Sequence, residues 1–483
     1  MSLTILPRLA SRWRAPGGYR EVLVIAIPLI LSTGAWSVLH FVDRMFLTWY
    51  SPEAIAAAMP AGILNFTIMS LFIGTAGYVN TFVAQYHGSE RFERIGPSLW
   101  QGIYISLVGG LFLVLLSPFS ANIFHFIGHA PAVREQEIVY FRILCLGAAP
   151  PIMAAALAGF FSGRGESWPI MWVNTLATLL NVVLDYAFIF GHWGSPEMGI
   201  KGAALATVLS GCFSVLLYLV LLSRRSYNRI YRTISGWFFD RELFARMLRF
   251  GLPNGVQFML DMAGFTIFIL LIGRLGTVEL AATNIAFNIS TLAFMPMIGF
   301  GIAISVLVGR NLGENNPGLA GYSTWSGFQL TLLYIGLVSL SYLFFPEIYI
   351  AAFAARADPE SFKPIRDIAV VLMRFVAVFS IFDTMNIIFA SAIKGAGDTR
   401  FVMFMIVSLA LGGLVIPSYI AIIVLKMSIY SAWIIVTIYI ILLGSCFLWR
   451  FLGGKWKSMR VIEEAPHSLP PNYPAAPGTE FDA

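Results

Sequence analysis

Residues 168–190 read WPIMWVNTLATLLNVVLDYAFIF. At 1.5 Å per residue such a run is about 34 Å long as a helix, enough to cross a hydrocarbon core of about 30 Å. Inside it Asn174, Thr178, Asn181 and Asp185 recur at i, i+4, i+7 and i+11, which places them on one helix face. A carboxylate at the centre of a membrane helix costs about 2.5–3.5 kcal/mol unless it faces protein or water. The run is therefore a spanning helix whose polar stripe looks inward.

The rest of the chain agrees. It is 58% hydrophobic and only 12% charged over 483 residues, with a mean hydropathy of +0.78. So few charges cannot cover a soluble surface, which excludes a soluble domain. Apolar runs predict twelve helices near 22–43, 54–83, 98–117, 138–161, 168–190, 200–222, 248–272, 281–308, 321–345, 365–393, 401–425 and 429–451. With both termini inside, 21 of the 31 Lys and Arg residues fall on the inner side, and this asymmetry sets the orientation. The net charge of +6 thus reads as a topology signal. No nucleic-acid motif accompanies it. Cys145, Cys212 and Cys446 lie in apolar runs without metal or disulfide spacing and read as small apolar fillers. The first run is too long for a signal peptide and is expected to be retained.

The chain is written twice. A shift of 225 residues superposes Pro28 on Pro253, Ile73-Gly74 on Ile298-Gly299 and Gly88 on Gly313. A shift of 232 then superposes Gly163-Arg164-Gly165-Glu166-Ser167 on Gly395-Ala396-Gly397-Asp398-Thr399. Six helices per copy is an even number, so both copies point the same way and an axis along the membrane normal relates them. The expected organisation is a cytoplasmic N-terminal segment (1–21), an N-lobe (22–222), a cytoplasmic amphipathic linker (223–247), a C-lobe (248–451) and a disordered cytoplasmic tail (452–483). The fold class is all-α integral membrane.

Four acids lie in apolar runs: Asp43, Asp185, Asp261 and Asp383. At the duplication offsets none faces another acid, so each lobe carries its own polar site. Asp43 lies about 31 Å along helix 1 from the inside and Asp185 about 26 Å along helix 5, and Thr207 on helix 6 reaches the same outer level. His40, one turn before Asp43, reads as a polar lining residue. In the C-lobe, Asp261 with Asn254 and Gln257, Asp383 with Asn386, and the stripe Asn284, Asn288 and Thr291 form a second expected cavity near the midplane. Carboxylate, amide and hydroxyl oxygens suit Na⁺, and a poorly solvated carboxylate pair suits a proton. The sequence leaves both open.

In order along the chain, Phe41-Val42-Asp43, Glu53-Ala54-Ile55-Ala56-Ala57, Asn181-Val182-Val183-Leu184-Asp185-Tyr186 and Gly199-Ile200-Lys201-Gly202-Ala203-Ala204-Leu205-Ala206-Thr207 in the first half resemble the multidrug and toxic compound extrusion transporters. So do Glu279-Leu280-Ala281-Ala282-Thr283-Asn284, Phe294-Met295-Pro296 and Lys394-Gly395-Ala396-Gly397-Asp398-Thr399 in the second. The resemblance covers residues 20–450. It implies an N-lobe cation site at Asp43, Asn181 and Asp185 with Thr207 as a further ligand, and Tyr140 in that cavity. It implies a C-lobe site for the coupling ion or a cationic drug at Asp261 and Asp383; family members usually carry Glu on helix 7, where this chain has Asp. Thr283 stands where many have His. The implied function is efflux of amphipathic, often cationic compounds in exchange for Na⁺ or H⁺, by a monomer in the bacterial inner membrane with both termini cytoplasmic. No cofactor is expected beyond the coupling ion, and the expected partners are small molecules and lipids, not nucleic acid.

A flippase for lipid-linked sugars shares the lobe architecture, but would want basic residues in its cavity. An enzyme would gather its histidines, and His40, His87, His125, His129, His192 and His467 are scattered. The Tyr86-His87-Gly88-Ser89-Glu90-Arg91 loop lacks the Gly-xxx-Asp-Arg signature of a major facilitator carrier.

Overall fold

With no water available in a bilayer core, each spanning segment must satisfy its own backbone, and a helix does so by construction. The computed structural model describes residues 11–354 and 359–463. Among them eleven helices are long and apolar enough to cross a membrane, and a bent pair supplies the twelfth. They are α1 (Tyr19–Tyr50), α2 (Pro52–Gly88), α3 (Ile95–Leu116), α4 (Pro131–Leu146 continued by Ala149–Gly163 at 42°), α5 (Trp168–Phe190) and α6 (Ile200–Leu222), then α7 (Arg241–Ile272), α8 (Thr277–Gly313), α9 (Pro317–Phe344), α10 (Pro359–Ala396), α11 (Thr399–Val424) and α12 (Ile429–Leu452). All twelve expected spans are present. The long ones run further than apolarity indicated, because α7 and α8 continue as helix past the hydrophobic run into their polar ends.

Local chemistry sets several ends. The Ser51 hydroxyl accepts from the Ala54 N–H at 3.0 Å with Pro52 at the first helical position, so α2 starts sharply after α1. Asp240 caps α7 through the Leu243 N–H at 3.0 Å. Gly191, at φ +72°, closes α5 in the left-handed conformation. Pro28 and Pro253 sit inside α1 and α7 at matching places in the two repeats.

Helices α1–α6 and α7–α12 form two lobes that meet along α2 against α7 and α8 against α1 and α2. The lobes approach closely at glycines: a Cβ on Gly74 would lie 2.7 Å from the Cα of Gly255, and one on Gly88 2.0 Å from the Arg310 carbonyl oxygen. Across the same seam the Asn254 amide donates to the Gly74 carbonyl at 2.8 Å, Thr33 to the Met295 carbonyl at 3.2 Å, and Tyr78 to the Lys394 carbonyl at 2.6 Å. Glu21 pairs with Arg310 at the inner end. Outward of the Phe66–Phe258 ring contact at 5.9 Å, no hydrogen bond, ion pair or ring contact among the described residues joins the lobes. Among the described residues the polar links between the lobes thus gather toward the end that holds Glu21 and Arg310.

The linker holds a short helix, Arg225–Tyr231, and then the exposed rings of Trp237, Phe238 and Phe239. The tail differs from expectation. Residues 453–463 fold back onto the inner face: Trp456 stacks on Phe451 with ring centroids 4.9 Å apart, and its indole N–H donates to the Phe451 carbonyl at 2.8 Å. This stretch still carries Trp456, Val461 and Ile462, and burying them supplies the free energy that the Pro-rich continuation lacks. The remainder of the expected disordered tail, 464–483, and the first ten residues lie outside the described residues.

Candidate functional site

The polar stripe on α5 faces α1 and splits into two parts. In the inner part, the Asn174 amide donates to the Ser32 hydroxyl at 2.6 Å and Thr178 donates to the Ala35 carbonyl at 3.4 Å. In the outer part, Asn181 and Asp185 are fully buried and none of their four side-chain N and O atoms has a hydrogen-bond partner among the described residues. Asp43 is 8% exposed, and its Oδ1 is likewise buried and unpartnered. The two carboxylates lie within electrostatic range of each other, and Tyr140 on α4 lies within range of both. Arg44 adjoins Asp43 in sequence and in field, yet among the described residues none of the four intramembrane acids forms an ion pair within 4.0 Å. Buried carboxylate and amide atoms left without a hydrogen-bond partner cost about 1–3 kcal/mol each. A proton or a small hard cation would relieve that cost, which is what this arrangement can do chemically. Thr207 spends its hydroxyl on its own helix, donating to the Ala203 carbonyl at 3.0 Å.

The C-lobe cluster is better satisfied. Gln257 donates to Asp261 Oδ2 at 3.1 Å and Asn386 donates to Asp383 Oδ1 at 2.9 Å. These are i, i+4 and i, i+3 neighbours on α7 and α10 respectively, so local helix geometry positions each amide. Asp383 is 9% exposed and Asp261 half-buried. The two acids are within electrostatic range of one another. The structure does not bring Asn284 and Asn288 into this cluster: both are exposed, and Asn288 donates to the Asn284 carbonyl at 2.7 Å within α8. The helix presents its apolar side to the core, since Ala282, Ile285, Ala286 and Ile289 are buried instead, and the polar stripe is carried outward. Asn254 is also diverted, to the lobe seam. Thr283 is buried and accepts from the Trp433 indole N–H at 3.4 Å.

Three residues escaped the sequence reading. Lys394, quoted there within a motif but given no role at the site, lies within electrostatic range of Asp261. Tyr439 on α12 lies near both C-lobe acids. Glu137 on α4 is fully buried, bonded to His129 Nδ1 at 2.7 Å, with its other oxygen unpartnered. Its spacing of three residues before Tyr140 was the available signal for a shared face.

Two six-helix lobes, each holding intramembrane acids with no ion-pair partner among the described residues, define a polytopic membrane transporter. Comparison with known proteins gives the family. The MatE family model matches residues 28–187 and 253–420, one stretch in each lobe, and the chain belongs to that family. It is 30% identical over 407 residues to "Multidrug resistance protein PmpM" of Pseudomonas aeruginosa, covering 84% of each chain. It is 25% identical over 466 residues to "Probable multidrug resistance protein NorM" of Thermotoga maritima, covering 96% of this chain and 98% of that one. Among solved structures, an outward-facing multidrug resistance MATE family transporter superposes with a TM-score of 0.83 at 20% identity, covering 93% of this chain and 98% of that one. A likeness at that identity concerns the fold.

Proposed function

We propose that this protein is a secondary active exporter of amphipathic, often cationic compounds, driven by inward movement of Na⁺ or H⁺ and working as a monomer in the bacterial inner membrane with both termini cytoplasmic. The observation that carries the reading is the buried group of Asp43, Asn181 and Asp185, whose oxygens have no hydrogen-bond donor and no guanidinium partner among the described residues. Occupation by a cation neutralises the pair, and the membrane potential contributes about 2.3 kcal/mol per elementary charge per 100 mV to its entry. The C-lobe acids, held by Gln257 and Asn386, offer charge to a cationic substrate at the cleft. Cation entry and substrate release are then linked as the lobes rock, each binding event altering the other by the same factor. The relatives' printed names support multidrug substrates.

The test is efflux from proteoliposomes under a Na⁺ gradient and, separately, a pH gradient, in the parent and in Asp43→Asn. Loss of gradient-driven efflux in the variant is expected. Full activity there would remove the N-lobe site from the mechanism.

A further inference from the structure

Residues after α12 do more than cover apolar surface. The Val461 N–H donates to the Gln85 side-chain oxygen at 2.8 Å, and the Gln85 amide in turn donates to the Gly395 carbonyl at 3.0 Å. Gln85 belongs to the N-lobe, whereas Gly395 and Val461 belong to the C-lobe side. Two residues on, the Glu463 carboxylate sits between the lobes. From the N-lobe, the Tyr86 hydroxyl donates to it at 2.7 Å, Arg91 forms an ion pair with it, and the Arg94 Nε lies 3.3 Å from it. Arg91 also donates to the Glu463 carbonyl at 3.0 Å. From the C-lobe, Arg246 near the start of α7 forms the opposing ion pair.

We propose that Glu463 is the latch of the cytoplasmic gate: it holds the inner ends of the two lobes together while the cleft faces outward, and it releases Arg91 and Arg94 each time the cleft opens inward. This rests on the alternating-access reading above. The physical case is one of charge. Three guanidiniums converge on one carboxylate: Asp240 also pairs with Arg94 and Glu242 with Arg246, but among the described residues Glu463 alone reaches all three arginines and so joins Arg91 and Arg94 to Arg246. Side chains from both lobes supply the donors, and rigid-body separation of the inner ends cannot keep both sets. The other links across this seam are single bonds between neutral groups, such as Asn254 to Gly74, and ion pairs of one acid with one arginine, Glu21 with Arg310 and Asp240 with Arg94. The latch is charge-assisted and gathers more guanidinium donors on one carboxylate than either of those pairs.

The experiment places spin labels at Glu93 and Arg400, exposed inner positions on the two lobes, in protein with Cys145, Cys212 and Cys446 replaced. Inter-label distances are read in lipid nanodiscs. Glu463→Gln, and a chain ending at Arg460, are expected to raise the ratio of long to short inner distances by about tenfold. A chain ending at Glu463 should match the full chain. Glu463→Arg should separate the inner ends further, and adding Arg91→Glu should restore the short distance, which a variant that merely misfolds cannot do. An unchanged distance distribution in Glu463→Gln, or no rescue by the double exchange, overturns the latch. If the distances shift as expected while no cation gradient drives efflux, the latch stands and the transport reading fails.

Discussion

The Asn174 amide donates a 2.6 Å hydrogen bond to the Ser32 hydroxyl, tying α5 to α1 two helical turns inward of Asn181. The stripe on α5 is thus anchored at one end and left unsatisfied at the other. Anchoring holds α5 against α1, with Asp43 and Asp185 within electrostatic range of each other, and the donors missing among the described residues leave room in the hydrogen-bond inventory for a cation. Position and vacancy of partners come from the same stripe.

Removing that vacancy should separate stability from function. Asp185→Asn replaces an unpartnered buried carboxylate with a neutral amide of the same shape. Thermal unfolding in detergent is expected to move up, by about 1–3 kcal/mol of stability, while gradient-driven efflux is lost. A variant both less stable and fully active would contradict the site.

The C-lobe amides act through the acids they touch. Gln257→Leu and Asn386→Leu each remove a hydrogen bond to a carboxylate, a loss of about 1.5–3 kcal/mol for a charged acceptor. Binding of a fluorescent cationic substrate is expected to weaken by about tenfold or more in each, with helix content unchanged by circular dichroism.

Gly74→Leu tests the lobe seam. Its side chain would run into the backbone of Gly255, and overpacking of this kind costs about 1–3 kcal/mol. The inner ends are expected to part, read as increased labelling of an inner cysteine placed at Glu314. Unchanged labelling would mean that α2 and α7 can slide without separating.

The inner gate should be indifferent to working pH. Burial of Glu463 opposes its ionisation, but the Tyr86 hydroxyl, its own backbone N–H and the Arg91 and Arg94 guanidiniums outweigh it and hold the carboxyl down at about 2, against an ordinary 4.5. A lowered value means that the charged contact is complete above about 4.5 and is lost only as pH falls through about 2. The Glu93–Arg400 distance is therefore expected to stay constant from pH 5 to 8 (about the working range), leaving any pH dependence of efflux to groups inside the membrane. A gate that opens near pH 6 would show that another group governs closure.

His129→Ala should strand Glu137. That acid is fully buried and His129 is its hydrogen-bond partner, so truncation is expected to destabilise the protein by about 1–3 kcal/mol. Adding Glu137→Gln should recover part of the loss in melting temperature.

The amino-acid sequence determined by itself the twelve spans, the doubling into lobes and the four intramembrane acids. Each follows from local terms: the free energy of placing a side chain in lipid, the 3.6-residue period, and the recurrence of glycine, proline and polar residues at a fixed offset. Even the pairing of Gln257 with Asp261 and of Asn386 with Asp383 was written in helical spacing. What only the tertiary structure decided depends on residues far apart in the chain. Asn174 spends its amide on Ser32 and so leaves Asn181 and Asp185 alone; Asn284 and Asn288 turn away because Ala282 and Ile285 take the core face; and Glu463, in a segment that composition marked as unstructured, lands among arginines some 200 to 370 residues earlier. Periodicity tells which way a side chain points from its own helix, but not what the neighbouring helix offers it, and that second fact is settled by packing.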